Sequence, residues 1–385
     1  MMESPIYLDN NATTRPAPEV VDAMLRALQK HWGNPSSAHS LGRIPEAALV
    51  QAREQVAELM GCTPAEVVFS SGATESITQV FKGVFEALPA KRHFILSAIE
   101  HSAVQAQAIW LKRQGAEVTL LPVDACGWVA PEALKNALRP DTALVSVMLA
   151  NNETGVIQPV AELASLAKAA GALMHTDAVQ AAGKMPLDVR ALGVDFATLS
   201  AHKFHGPKGV GAFYIRRGVR IRPLVLGGHQ ERDRRGGTEN LPGIVGMGVA
   251  AELALSHLAG ATRIRAQRDR LETALRVALP EAVIHGVDAE RVPNTCMLSI
   301  PGIEGEALLM KLDSVGICVS TGSACTTGQK EPSHVLWAMG VPLELARGSI
   351  RISLGRETTA EEISRSEVEI PKAVRELKAL GPMGR

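Results

Sequence analysis

Between residues 67 and 215 short apolar runs alternate with amphipathic segments. The runs lie at 67–69, 93–97, 118–123, 143–150, 172–178, 196–201 and 210–215. Most are separated by stretches of helical periodicity, at 74–86, 102–114, 131–138 and 160–170. Runs apolar at consecutive positions are strands buried on both faces, and strands alternating with helices imply a mostly parallel sheet covered on both sides. This predicts an α/β fold with a large, mostly parallel seven-stranded sheet. Ligands of such sheets bind beyond the carboxyl ends of the strands, so the residues just after each run are the candidates for chemistry. Helices are expected at 19–30 and 46–60 before the sheet, and one long helical stretch after it, 244–279. The pattern then changes to strand (295–300), helix (305–314), helix (333–339), strand (349–354) and a closing helix from Thr359, a smaller α+β C-terminal domain. We therefore expect a large domain over 15–258 and a small one made of 1–14 and 259–385, the latter carrying a polar loop, 320–332.

Composition narrows the class. The chain has 385 residues, 46% hydrophobic and 21% charged, enough apolar material for large cores and too much for disorder. Forty basic and forty acidic residues give a net charge of +0, which argues against a nucleic-acid binder. Five cysteines, at 62, 126, 296, 318 and 325, form no CxxC pair. Free thiols fit a reducing compartment, and the start MMESPIYLDN reads as neither a signal peptide nor a membrane anchor, so a soluble cytoplasmic protein is expected.

Lys203, in SAHKFHGPKG, follows the run 196–201 and is flanked by His202 and His205. A partly desolvated lysine in a cationic setting has a depressed pKa, and its neutral amine attacks carbonyls to form Schiff bases. Asp177 ends the run 172–178, one strand earlier. A carboxylate so placed suits a pyridine nitrogen that must stay protonated, as in pyridoxal phosphate (PLP) enzymes, with Gln180 within reach of the ring hydroxyl. Ser71-Gly72-Ala73-Thr74 opens a helix directly after a strand, a ready cradle for phosphate, to which Ser200 and His202 would add. His101 follows the run 93–97 and is placed to stack on a planar ring; Asn152 follows 143–150. Arg351, in SIRIS, is a candidate fork for a substrate carboxylate. Cys325, in GSACTTG, sits among small polar residues, whereas the other four cysteines lie in or beside apolar runs. An exposed, ionisable thiol on a polar loop is suited to act as a nucleophile.

Ten motifs resemble those of the NifS/IscS-type cysteine desulfurases, members of the class V aminotransferase superfamily with the fold type I (aspartate aminotransferase-like) architecture of PLP-dependent transferases. They are YLDNNATT (7–14), GNPSSAHSLGR (33–43), SGATES (71–76), EHSAV (100–104), NNETG (151–155), HTDAVQ (175–180), SAHKFHGPKGVGA (200–212), RRGGTEN (234–240), STGSACTTG (320–328) and IRISLGR (350–356), in the family's order over nearly the whole chain. The resemblance implies that Lys203 forms the Schiff base with PLP and that Asp177 partners its ring nitrogen. It also implies that Gln180 and Asn152 lie at the ring hydroxyl, with Asn152 at the substrate too, and that His101 stacks on the ring and shuttles a proton. By the same likeness Ala73, Thr74, Ser200 and His202 bind the phosphate, and Thr238 reaches the phosphate of the other subunit of a homodimer. Arg351 would hold the carboxylate of L-cysteine, and Cys325 would take its sulfur as a persulfide, leaving L-alanine. The acceptor would be an iron–sulfur scaffold protein or another sulfur acceptor, with Cys325 serving as a transient cluster ligand shared with the scaffold.

Two other readings share much of this pattern. A selenocysteine lyase or another aminotransferase-type PLP enzyme would use Lys203 and Asp177 without a nucleophilic Cys325. A protein that kept the fold only for binding would use neither.

Overall fold

The computed structural model describes residues 5–322 and 333–381. In chain order the strands are β1 (Ile6–Tyr7), β2 (Val67–Ser70), β3 (His93–Ser97), β4 (Glu117–Leu121), β5 (Thr142–Ser146), β6 (Leu173–Asp177), β7 (Phe196–Ser200), β8 (Gly211–Ile215), β9 (Val283–His285), β10 (Thr295–Ser299), β11 (Ile317–Cys318) and β12 (Ser349–Ser353). The helices are α1 (Pro18–Lys30), α2 (Ser40–Met60), α3 (Ala73–Ala87), α4 (Ser102–Arg113), α5 (Pro131–Ala137), α6 (Val160–Ala169), α7 (Leu241–His257), α8 (Ala261–Ala278), α9 (Gly305–Asp313), α10 (His334–Ala338), α11 (Leu343–Arg347) and α12 (Ala360–Ala379).

All seven apolar runs between 67 and 215 contain strands, and these form one sheet in the order β2-β8-β7-β6-β5-β3-β4. Only β8 runs against its neighbours. Successive residues of a strand point to opposite faces, and both faces are covered. Val67 and Phe69 join one core with α1, α2, α6 and α7, while Val68 joins Phe94, Phe196 and Phe213 in another with α3 and α4. That double burial is why the runs show no polar alternation.

A separate apolar cluster gathers Ile6 and Leu8 with Leu271, Leu298, Ile350 and Ile370. It packs around the antiparallel sheet β12-β10-β9 and the parallel pair β1–β11. The N-terminal segment thus begins among C-terminal elements. It then crosses to the large sheet: Ser353 N–H donates to Leu8 O at 2.7 Å, and Thr14 N–H to His202 O at 2.8 Å.

The expected helix 244–279 is two helices, α7 and α8, separated by a 3-10 turn at Leu258–Gly260. α7 is apolar all round because it lies between other elements, packed on α1 and α2 with Ile244, Met247 and Ala251 buried. The continuous stretch Leu241–Ala278 is long and apolar enough by composition to cross a membrane, but α7 forms part of the core of the large sheet. α8 carries the arginines and turns only Leu271, Leu275 and their neighbours inward. α2 begins six residues earlier than the expected 46, and β9 and the pair β1–β11, too short to leave a pattern, are additions to the expected elements.

Candidate active site

β2, β3, β5, β6 and β7 all end on the same edge of the sheet, beside a cavity of about 570 Å³. Ala73 and Thr74 line it at the start of α3, and His101 at the start of α4. Asn152, Asp177 and Gln180 line it from the ends of β5 and β6. Ser200, His202 and Lys203 enter from the end of β7, and Arg351 from β12. Thr238 stands apart, exposed in the segment before α7. Cys325 lies outside the described residues, so its placement is not part of this geometry. Among the described residues no three His, Cys, Asp or Glu side chains cluster as a metal site would require.

The local chain is shaped to present these groups. Lys203 closes the 3-10 turn Ala201–Lys203, and the next residues fold back so tightly that a Cβ on Gly206 would lie 2.7 Å from that of Ala201. His205 takes φ 67° there, held by its N–H to Thr14 Oγ1 at 2.7 Å. The start of α3 is brought against β8 because Gly211 has no side chain; a Cβ there would be 2.6 Å from Gly72 Cα. Among the described residues no side chain caps the first turn of α3. Its N–H groups, at the positive end of the helix, are therefore left for an anion.

Lys203 Nζ donates to the backbone carbonyls of Asn11, at 2.8 Å, and Ala12, at 2.7 Å. Asp177 is 5% exposed and accepts from Val179 N–H at 3.0 Å. Burial pushes its carboxyl above the usual range, partly offset by His101, the Val179 N–H and Lys203. A cationic N–H in the cavity is what such a carboxylate lacks. His101 Nδ1 accepts from Ala103 N–H at 3.2 Å, which leaves the proton of the neutral ring on Nε2. His202 is pushed down to about 4 by burial and by the Lys203 and Lys208 charges, so it is a neutral hydrogen-bonding group at pH 7.

Arg351 donates from Nη2 to Asp9 Oδ1 at 2.7 Å and from Nη1 to Asn152 O at 3.1 Å. Its Nε is buried with no hydrogen-bond partner among the described residues, and so is Asn152 Oδ1. Buried polar atoms left unpaired are costly and mark places where a ligand completes the bonding.

Asp9, Asn11 and Lys184 were not among the residues expected at the site. Asn11 N–H donates to Ser353 Oγ, its Nδ2 to Asn152 O and Thr295 Oγ1, and its carbonyl accepts from Gln180 Nε2 and Lys203 Nζ. One residue, through its backbone and its side chain, therefore ties the N-terminal segment to both sets of strands. The only trace in the sequence is the Asn pair inside YLDNNATT, which by itself reads as a turn.

These residues fit PLP. An uncapped helix start suits its phosphate, the buried Asp177 its ring nitrogen, the unpaired donor and acceptor a substrate beside it, and Lys203 its aldehyde. Comparison with known proteins agrees. The class-V aminotransferase family model matches residues 6–365. A curated cysteine desulfurase from Cereibacter sphaeroides is 51% identical over 381 residues, 98% of each chain. The cysteine desulfurase IscS of Methanosarcina thermophila is 47% identical over 98% of this chain and 94% of its own length. A solved NifS-like protein superposes with a TM-score of 0.91 at 42% identity, over 97% of this chain and all of that one. The chain belongs to the class-V aminotransferase family, with its fold type I architecture. Within that family its place is among the cysteine desulfurases.

Proposed function

We infer that this chain is a PLP-dependent cysteine desulfurase, converting L-cysteine to L-alanine while Cys325 receives the sulfur as a persulfide. The observation that carries the reading is the meeting of Lys203, Asp177, His101, Gln180 and the start of α3 around one cavity, with Arg351 at its side. PLP bound there supplies a carbonyl for amines and an electron-withdrawing ring that eases loss of the Cα proton. Lys203 Nζ is the amine that would hold the cofactor and, when free, would serve as a base at the substrate Cα. Asp177 keeps a negative charge against the ring nitrogen. His101, with its proton on Nε2, carries a proton at the ring face. Arg351, whose Nε has no partner among the described residues, grips the substrate carboxylate while Asp9 and Asn152 O fix its orientation.

The described cysteines support assigning the sulfur chemistry to Cys325. Burial and Glu66 push Cys62 up to about 12, and burial also raises Cys126, Cys296 and Cys318, the last with help from Asp313 and Asp9. Four thiols held protonated are poor nucleophiles. A solved relative in complex with cysteine, 33% identical with a TM-score of 0.81 over 92% of this chain, favours the same substrate. Further parts of the reading are a homodimer in which Thr238 reaches the partner's phosphate site, cytoplasmic location, a division into 15–258 and 1–14 with 259–385, and delivery of sulfur to an iron–sulfur scaffold protein or another acceptor.

The test is alanine release from cysteine by wild type and Cys325→Ser, with and without reductant. Wild type should make alanine and, without reductant, carry one added sulfur on the Cys325 peptide. Cys325→Ser should bind cofactor and cysteine yet make almost no alanine. Full activity in Cys325→Ser, or amino transfer to a keto acid, would instead favour a lyase or aminotransferase.

A further inference from the structure

Lys184 lies behind the cofactor cavity, after the turn that follows β6, and has no role in the chemistry above. Its Nζ donates to Asn11 Oδ1 at 2.8 Å and to Gln180 Oε1. The orientation of both amides is fixed independently. Gln180 Nε2 donates to the carbonyl of Asn11 at 3.0 Å, which accepts only donors, so Oε1 must face Lys184. Asn294 Nδ2 donates to Leu354 O and to Asn11 Oδ1, each at 3.0 Å, so that oxygen also faces Lys184. Lys184 is thus the donor that both side-chain oxygens share.

We propose that Lys184 is a positioning residue for the cofactor site: by donating to Gln180 Oε1 and Asn11 Oδ1 together, it holds the Gln180 amide with its N–H side towards the cofactor's phenolic oxygen. The proposal rests on the reading of Lys203 and Gln180 given above. Binding of the cofactor draws Lys203 away from Asn11 O and gives Gln180 Nε2 a second acceptor. With Nε2 shared between Asn11 O and that acceptor, the bond from Lys184 to Oε1 is what holds the opposite side of the amide in place. Burial, with the Lys203 and Arg351 charges, pushes Lys184 well below the ordinary lysine value. The bonding survives loss of that proton, because a neutral amine still has two N–H donors for two oxygens. The charged and titratable groups facing this pair are Lys203 and His205 on the lysine turn, Asp177 on β6, Arg351 on β12, His257 on α7 and Arg356.

An N–H donated to the phenolic oxygen draws charge from it and lowers the pH at which the Lys203 nitrogen, bonded to the cofactor, releases its proton. The test is a spectrophotometric pH titration of the cofactor's visible band in the holoenzyme. Lys184→Met, which keeps the stem and removes the donors, should raise the midpoint by about 0.5–1 unit, the scale of one lost hydrogen bond. Gln180→Met should raise it similarly, and the double variant should show no further rise, because both changes remove one interaction. Lys184→Arg should restore most of the wild-type midpoint. If Lys184→Met does not accumulate as folded protein, Lys184→Ala, which also removes the donors, is compared with Gln180→Met in the same way. A midpoint within about 0.2 units of wild type in the Lys184 variant, or additive shifts in the double variant, would overturn the proposal. Borohydride reduction of wild type separates the two levels. Cofactor fixed to a lysine other than Lys203 would sink the underlying reading, whereas cofactor on Lys203 with an unmoved midpoint would sink only the role of Lys184.

Discussion

The two ends of the large sheet are built from the same strands and differ in how their polar groups are paired. At the amino end a cavity of about 420 Å³ is lined by Glu66, Arg190, Asp195 and Arg216. Asp195 accepts from Met174 N–H at 2.8 Å and from Arg216 Nε at 2.7 Å. Glu66 accepts from Thr63 Oγ1 at 2.7 Å, Arg217 N–H at 3.1 Å and Arg190 Nη2 at 3.1 Å. At the carboxyl end Asn152 Oδ1, Arg351 Nε and Glu100 Oε2 are buried without partners among the described residues. Charge alone does not separate the two ends. Satisfied polar groups hold strands in register. Arg92 Nη1, just before β3, is also buried without a partner among the described residues. Only Asn152 Oδ1 and Arg351 Nε, however, belong to residues that converge on the carboxyl-end cavity, and these two mark the place kept for a ligand.

Substitutions should divide along the same line. The largest effect falls at the carboxyl end: Asp177→Asn should slow alanine formation by orders of magnitude while the apoprotein melts near the wild-type temperature, because the ring loses its anionic partner. Arg351→Ala should weaken cysteine binding by ~2–5 kcal/mol, read as a raised KM, the range for removing one partner of a buried charged pair. An unchanged KM would remove Arg351 from the substrate site. At the amino end the signs reverse. Asp195→Ala should cost about 1–3 kcal/mol of stability, since Met174 N–H is left buried and unpaired, with kcat and KM for cysteine unchanged.

The pH dependence of melting sharpens the contrast. Burial pushes Glu66 up, but the Thr63 hydroxyl and N–H, the Arg217 N–H and Arg190 outweigh it and bring its carboxyl to about 2. Its folded value is depressed, so its contribution is present above the ordinary carboxylate range and is lost as pH falls from about 4.5 towards 2. Glu100, buried beside β3, is pushed up to about 8 by burial and the Asp177 charge, against the Ser97 hydroxyl and Met148 N–H. Burial likewise raises Glu153 to about 7, against Ser333, Arg351 and His101. The folded state keeps these protons where the unfolded chain has released them, so stability falls as pH rises from about 4.5 to 8. Glu100→Gln should flatten the melting curve on the neutral side, and Glu66→Gln on the acid side. Equal slopes in both variants and wild type would contradict this division.

Much of the carboxyl end was legible before the fold, and the reason is local. A strand buried on both faces is a visible apolar run, and the residue after it is placed by that run alone. This puts Asp177, Ser200, Lys203, His101 and Thr74 at strand ends or helix starts without knowledge of tertiary contacts. Their particular roles came from the motifs rather than from periodicity. Asp9, Asn11 and Lys184 were not legible, because their partners are distant in sequence: Asn11 bonds residues 141 to 342 positions away. Polar side chains that meet only in the folded molecule leave no period. The break between α7 and α8 was hidden for a related reason. The turn at Leu258–Gly260 contains no proline, and both flanking segments are helical in pattern.

On the proposed reading, Lys203 is the amine that holds the cofactor at the carboxyl end of the sheet. The direct test is borohydride reduction of the PLP-loaded protein, followed by mass spectrometry of its peptides. The reduced cofactor should be found on the peptide containing Lys203, and Lys203→Ala should yield no adduct. Cofactor fixed to Lys184, Lys208 or a lysine at the amino end, with Lys203 unmodified, would contradict the account.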